Sequence, residues 1–366
     1  MWAAPRSDTN NDFDTPSTDA PNGSDEKEPL RRRLPKTRPQ ELMHQDVDKA
    51  GQRVWLNTLL SKYAVVAVAI LLIIVFAVLN SSTFLTGANL QLILGGNSVA
   101  LILALAGLLP LLAGEFDLSI GYTLELSAVV TAVLANDGVP LPLTLLIVLV
   151  MGAVIGLVNS FFITILGVSS FISTLGMGTV VSAISLELTH GEILIKNIPP
   201  ALINFAQGTV GGVPLILIPA IVLFILFYII GEHTTYGRRL LAVGLSPRAS
   251  QLAGVRIGRS VGSTFVIAGV LAALAGWLEL GRVGSASAGI GPNFLLPAIT
   301  AGFLGATTIK TGRFNVLGTG VAVALVAVGI DGLQLNGAAY WVQPLFDGGV
   351  LLLAVGTAQL LARRAK

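Results

Sequence analysis

The sequence contains no cysteine. Disulfides, thiol nucleophiles and thiolate-ligated metals are therefore excluded. Histidine is nearly as scarce, since His44, His190 and His233 are scattered and no two stand at metal-ligand spacing. Charged residues fill only 11% of 366 positions, against about 25% in an ordinary soluble domain. The phosphate-cradling pattern GxxxxGK(S/T) is absent. "GATTIKTG" at 305–312 is not that loop.

What the chain has in abundance is apolar sequence, 53% of all residues, with a mean hydropathy of +0.80. A hydrocarbon core of about 30 Å takes about 20 apolar residues of helix to cross. Ten such spans are expected, at 63–79, 91–113, 118–135, 141–166, 169–189, 213–231, 261–280, 294–309, 315–335 and 345–362. The fold class is an all-α integral membrane protein of about ten transmembrane helices.

Residues 1–52 are a different material, rich in Asp, Asn, Pro, Ser, Thr, Lys and Arg. They read as a disordered tail ahead of a transmembrane domain at 53–366. The basic cluster Arg31, Arg32, Arg33, Lys36 and Arg38 suits contact with anionic membrane lipid. A solvated tail is the simpler reading. The first apolar run begins near Tyr63, too late for a secretory signal.

Positive charge tests the span count, because Lys and Arg accumulate in cytoplasmic loops. With the tail cytoplasmic, the inside segments are 1–62, 114–117, 167–168, 232–260, 310–314 and 363–366. They hold twenty of the chain's twenty-two Lys and Arg, leaving only Lys196 and Arg282 outside. Both termini are thus expected in the cytoplasm.

The octapeptide "GEFDLSIG" at 114–121 puts Glu115 and Asp117 between two apolar runs. A carboxylate carried to mid-bilayer on a helix costs about 2.5–3.5 kcal/mol. The charge parity instead places this stretch at the inner end of spans two and three. There Asp117 is suited to cap the third helix, and Gly114 and Gly121 permit a tight turn. Glu125 lies eight residues further, about 12 Å deeper along a helix. Asp117, Gly121 and Glu125 share one broad face. Glu125 is left with two readings, a pathway-facing or inter-helix polar contact and a packing role. Asn97, Asn159, Asp331 and Gln334 are also polar positions within spans, for which helix–helix hydrogen bonding is the plainer role. Asn159 follows Gly152 and Gly156, a GxxxG face suited to close helix contact. Glu279 and Arg282, three apart at a helix end, read as a local ion pair.

The inside loop 232–260 is too long for a plain helical turn. Ser246-Pro247 reads as an N-cap followed by proline at the first helical position. "RASQLAG" then supplies about two turns, closed by Gly254. An interfacial anchor and a docking site for a cytoplasmic partner are both open on these residues.

Four stretches together resemble the permease subunit of an ATP-binding-cassette importer, of the ribose-type monosaccharide group within the sugar and branched-chain amino-acid permease family. They are "GEFDLSIG", "TTYGRRLLAVGLSPRASQLAGVRI" at 234–257, "AITAGFLGATTIKTGRFNVLGT" at 298–319 and "DGLQLNGAAYWVQPLFDGGVLLLAV" at 331–355. In family order they belong to a match over most of 60–362. The chain departs from the family in having Gly114-Glu115 for a Gly-Gly pair, and fewer glycines near 310.

The resemblance implies a type II importer-like permease fold in a bacterial plasma membrane, moving a monosaccharide or polyol delivered by an extracytoplasmic binding protein. Other small solutes, such as a branched-chain amino acid or nucleoside, are the alternative within the class. It implies a second permease copy, identical or not, and a separate cytoplasmic ATPase chain that carries ATP and Mg. No cofactor of the chain's own and no nucleic-acid partner are expected. Carried over by position, Gly244, Ser246, Pro247, Arg248, Ala249, Ser250, Leu252 and Gly254 couple the chain to the ATPase. Candidate pathway residues are Asn97, Glu115, Asp117, Ser119, Glu125 and Asn159. A proton-coupled secondary transporter using Glu125 and Asp117 is the rival outside the class. An enzyme finds no nucleophile–base pair or metal cluster to support it.

The twenty-to-two charge split generates a direct test. Ser246→Cys, the sole thiol in the chain, should resist an impermeant maleimide in intact cells and react after permeabilisation. Labelling in intact cells would refute the ten-span topology.

Overall fold

The computed structural model describes residues 63–364, with side chains as far as 357. The tail expected at 1–52 lies outside the described residues. The helices are α1 (Tyr63–Leu79), α2 (Gly87–Leu112), α3 (Ile120–Asn136), α4 (Leu141–Thr164), α5 (Ser170–Thr189) and α6 (Pro200–Gln207). A two-residue-per-strand hairpin follows, β1 (Thr209–Val210) pairing antiparallel with β2 (Val213–Pro214). Then come α7 (Leu217–His233), α8 (Thr235–Leu245), α9 (Pro247–Leu252), α10 (Ile257–Val283), α11 (Gly291–Gly305), α12 (Val316–Leu335) and α13 (Val342–Arg364).

Each of the ten expected spans falls on a helix. Five of them, α2, α4, α5, α10 and α12, are long and apolar enough to cross a bilayer unaided. The run ending in α7 continues into α8 through a bend of 69°. Helices α1 and α3 are apolar but shorter, at 17 residues each, and 342–357 of α13 is an apolar segment of similar length. The shortest is α11, whose 15 residues span about 22 Å. It starts inside the bundle rather than at its edge.

The centre of the bundle is α10, buried along most of its length against α2, α3 and α4. Lipid tails are as apolar as leucine, so helices in a membrane associate through close packing of small residues. Here a Cβ on Gly269 would sit 2.1 Å from the Gly152 carbonyl oxygen, and one on Gly156 would sit 2.3 Å from that of Phe265. The GxxxG face seen in the sequence is therefore the seam along which α4 and α10 run antiparallel. Helix α3 crosses α10 as closely, with Gly276 allowing contact with the Leu124 carbonyl. By contrast, Leu71, Val78, Leu146, Ile172, Ile184 and Val222 point outward and exposed. These are lipid-facing surfaces of a membrane protein.

Overpacking a tight core costs about 1–3 kcal/mol or more. Gly269→Val should accordingly lower the melting temperature of the detergent-extracted protein or prevent its accumulation. Gly176→Ala, where no atom lies within 4 Å of the added methyl, should melt as the parent does. A Gly269→Val protein with parental melting would overturn the close-packed seam.

Candidate translocation cavity and coupling segment

The loop between α7 and α10 folds into two helices. Thr234 caps α8, accepting from the Gly237 N–H at 3.4 Å. Ser246 caps α9 as the sequence suggests, with its hydroxyl accepting from the Ala249 N–H at 3.4 Å and Pro247 in the first helical position. Gly254 closes the segment at φ +80°, a conformation glycine adopts without strain. Of α9 only Ser250 is buried, while Leu245 and Leu252 are 74% and 86% exposed. Arg248 and Ala249 are exposed as well. A helix of under two turns presenting leucine outward is short of partners.

Gly244 has a different task. A Cβ there would lie 2.3 Å from the Leu112 carbonyl oxygen, and Gly114 (φ +83°) is packed on the other side of the same contact. The end of α8, just before the exposed α9, is thereby packed backbone to backbone on the corner that links α2 and α3.

That corner is the "GEFDLSIG" stretch. Asp117 is buried, and one of its carboxylate oxygens accepts from the Ser119 N–H at 2.9 Å and the Ser119 hydroxyl at 2.6 Å. Asp117 therefore shapes the turn before α3 rather than bonding the helix's own first turn. Asn159 of α4 donates its amide to Ser119 Oγ at 2.9 Å. The Phe116 and Leu118 N–H groups donate to Ser170 and Thr174 of α5, at 3.2 and 3.0 Å. Glu115 is half-buried, its N–H donated to the Pro110 carbonyl. Asp117, Ser119 and Asn159 are thus brought together as one buried cluster.

Glu125 stands apart from it, with no exposed surface. One carboxylate oxygen accepts from the Gly291 N–H at 2.8 Å, and the other faces the Ser182 hydroxyl at 3.4 Å. Ser182 lies twelve residues into α5, about 18 Å from its start. Glu125 thus makes polar contacts with both α11 and α5.

A cavity of about 560 Å³ opens between α2, α11, α12 and the end of α10. Of the six candidate pathway residues only Asn97 lines it. Its polar walls include Asn293, Asp331, Gln334 and the Glu279–Arg282 pair, with Ser285 and Ser287 from the loop before α11. The ion pair anticipated from the sequence is a two-bond fork, Arg282 Nε and Nη2 to the two Glu279 oxygens at 2.7 and 2.6 Å. Asp331 accepts from Asn89 at 2.8 Å. Ser285, Ser287 and Asn293 carry no signal in the sequence beyond being polar. Among the described residues no group of His, Asp and Glu is arranged to hold a metal.

A helical bundle of this kind, with a polar cavity between its spans and a short exposed helix at one face, is a transport permease, a transport component rather than an enzyme. The chain belongs to the family described as branched-chain amino acid transport system permease component, matching it over residues 89–355. It is similar to the autoinducer 2 import system permease protein LsrD of Salmonella paratyphi A, being 31% identical over 298 residues, 80% of this chain and 89% of that one. The LsrD protein of Escherichia coli K12 is 32% identical over 259 residues, covering 69% of this chain and 78% of the relative. No solved structure matches it.

The buried corner yields a prediction. Removing one partner from a buried hydrogen bond costs about 1–3 kcal/mol. Asp117→Ala should therefore lower the denaturation midpoint of the purified protein, while Glu115→Ala should leave it near the parental value. Equal midpoints for both variants would mean that the Asp117 turn contributes nothing.

Proposed function

We propose that the chain forms the translocation pathway of an ATP-driven importer for a small polyhydroxylated solute, a monosaccharide or polyol. It sits in a bacterial plasma membrane with both termini and α9 in the cytoplasm. A second permease copy completes the pathway, an extracytoplasmic binding protein delivers the solute, and a separate ATPase binds ATP and Mg.

The observation that carries the solute class is the cavity's chemistry. Neutral amides and hydroxyls (Asn97, Asn293, Gln334, Ser285 and Ser287) stand among the residues lining a space large enough to admit a sugar, and each offers donors or acceptors to hydroxyl groups. Arg282 is the one cation on the wall among the described residues, and it is already paired with Glu279. An amino-acid carboxylate would have to compete with that pair. The relatives named as permeases of an autoinducer 2 import system are likewise components of importers.

The exposed α9 supports mechanical coupling, because its docking on an ATPase would bury Leu252 and Ala249. The preceding helix α8, which leads directly into α9, meets the bundle through the Gly244–Gly114 contact. Asp117 and Glu125 are hydrogen-bonded and lie off the cavity wall, which favours ATP-driven import over a proton-coupled mechanism.

Two measurements test the reading. Uptake of labelled solute should be competed by pentoses, hexoses or polyols and not by leucine. Asn97→Ala and Asn293→Ala should each raise the half-saturation concentration about tenfold, the loss of one good hydrogen bond at about 1.4 kcal/mol. Competition by leucine alone would reject the solute class. In the reconstituted complex, Ala249→Asp should abolish stimulation of ATP hydrolysis by loaded binding protein. Full stimulation would reduce α9 to an interfacial anchor.

A further inference from the structure

Helix α11 has one face on the cavity and the other on the bundle. Ile290, Asn293, Phe294 and Pro297 line the cavity, while Gly291, Leu295 and Ala298 are buried. The first turn is weakly anchored from within its own chain segment. Ile290 in the cap position offers no side-chain hydrogen bond, and Pro292 has no N–H to donate. The preceding loop has glycine at both ends in the left-handed region, Gly284 at φ +73° and Gly289 at φ +87°.

Among the described residues, the only side-chain hydrogen bond to this turn comes from Glu125, 166 residues earlier in the chain. The fit around it is close. A Cβ on residue 291 would lie 3.0 Å from the Glu125 carboxylate oxygen and 3.1 Å from the Gly121 backbone. One on Gly121 would lie 2.5 Å from the Gly291 carbonyl and 2.9 Å from Leu295. The positive end of the α11 dipole meets the carboxylate. Residues 121–125 of α3 and 291–295 of α11 therefore act as one clamp.

We propose that Glu125 is a positioning residue for transport: by holding the Gly291 amide across the α3–α11 contact, it fixes the first turns of α11 as the wall of the solute cavity. It touches no solute and carries no proton through the membrane. Its effect on transport is exerted through Asn293 and Phe294. The inference rests on the cavity being the solute site, but its test requires no solute.

The test uses thiol accessibility in the full-length, naturally cysteine-free chain, with a small methanethiosulfonate as the probe. Leu295→Cys reports on the α3–α11 contact, since Leu295 is buried there against Gly121, next in sequence to the cavity-lining Phe294. Leu271→Cys, buried on α10, reports general loosening. With Glu125→Leu, labelling at position 295 should accelerate about tenfold or more, with position 271 unchanged. With Glu125→Gln, which keeps an acceptor oxygen for the Gly291 N–H, labelling should stay near the parental rate. Where Glu125→Leu does not accumulate, Gly291→Ala forces the same contact apart and should give the same selective acceleration. Unchanged labelling at 295, or equal acceleration at 295 and 271, overturns the proposal. Loss of the uptake effect in Asn97 and Asn293 variants would instead overturn the cavity reading and leave the clamp intact.

Discussion

Close approach of backbones is the constraint on which the molecule depends. In lipid, apolar side chains gain nothing by meeting one another instead of the solvent, so contact must come from dispersion over matched surfaces. The seam of α4 on α10 meets this demand with glycine facing glycine at 152 and 269. The same device recurs where α3 crosses α10 at Gly276 and where it meets α11 at Gly121. Because these contacts leave no slack, α3 and α10 form a fixed frame. The cavity, the corner and the exposed helix are placed by reference to it.

Polar groups inside that frame are gathered in small sets. Asp117, Ser119 and Asn159 are linked by hydrogen bonds at the α2–α3 corner, and Glu125 is engaged by α11 and α5. Burial of such groups is tolerable only with partners. At the α9 face, Glu232 joins the end of α7 to the loop before α12 through Lys310 and Arg313.

The helices were legible in the sequence because hydropathy and charge asymmetry are local properties summed over many residues. The Ser246 cap, the Glu279–Arg282 pair and the Gly152–Gly156 face were legible for a similar reason, each being defined by neighbours within one or two turns. The cavity was not. Its wall is assembled from residues between Leu92 and Gln343, and nothing near Asn293 in the chain marks it as facing the same space as Asn97. Nor does spacing reveal that the partner of Glu125 is a backbone amide on a helix starting inside the bundle. A carboxylate on an apolar helix announces that it needs company, but the company is chosen by the tertiary fold.

The exposure of α9 has a consequence for the life of the protein in the cell. Burying a leucine side chain contributes about 1.5–3 kcal/mol, and Leu245 and Leu252 are left in solvent by the isolated chain. On the proposed orientation they face the cytosol, where chaperones and proteases survey exposed apolar residues. A subunit made in excess of its partner displays that signal, and an assembled one conceals it. The ratio of subunits would then be policed by surface exposure itself, with no separate device for counting them.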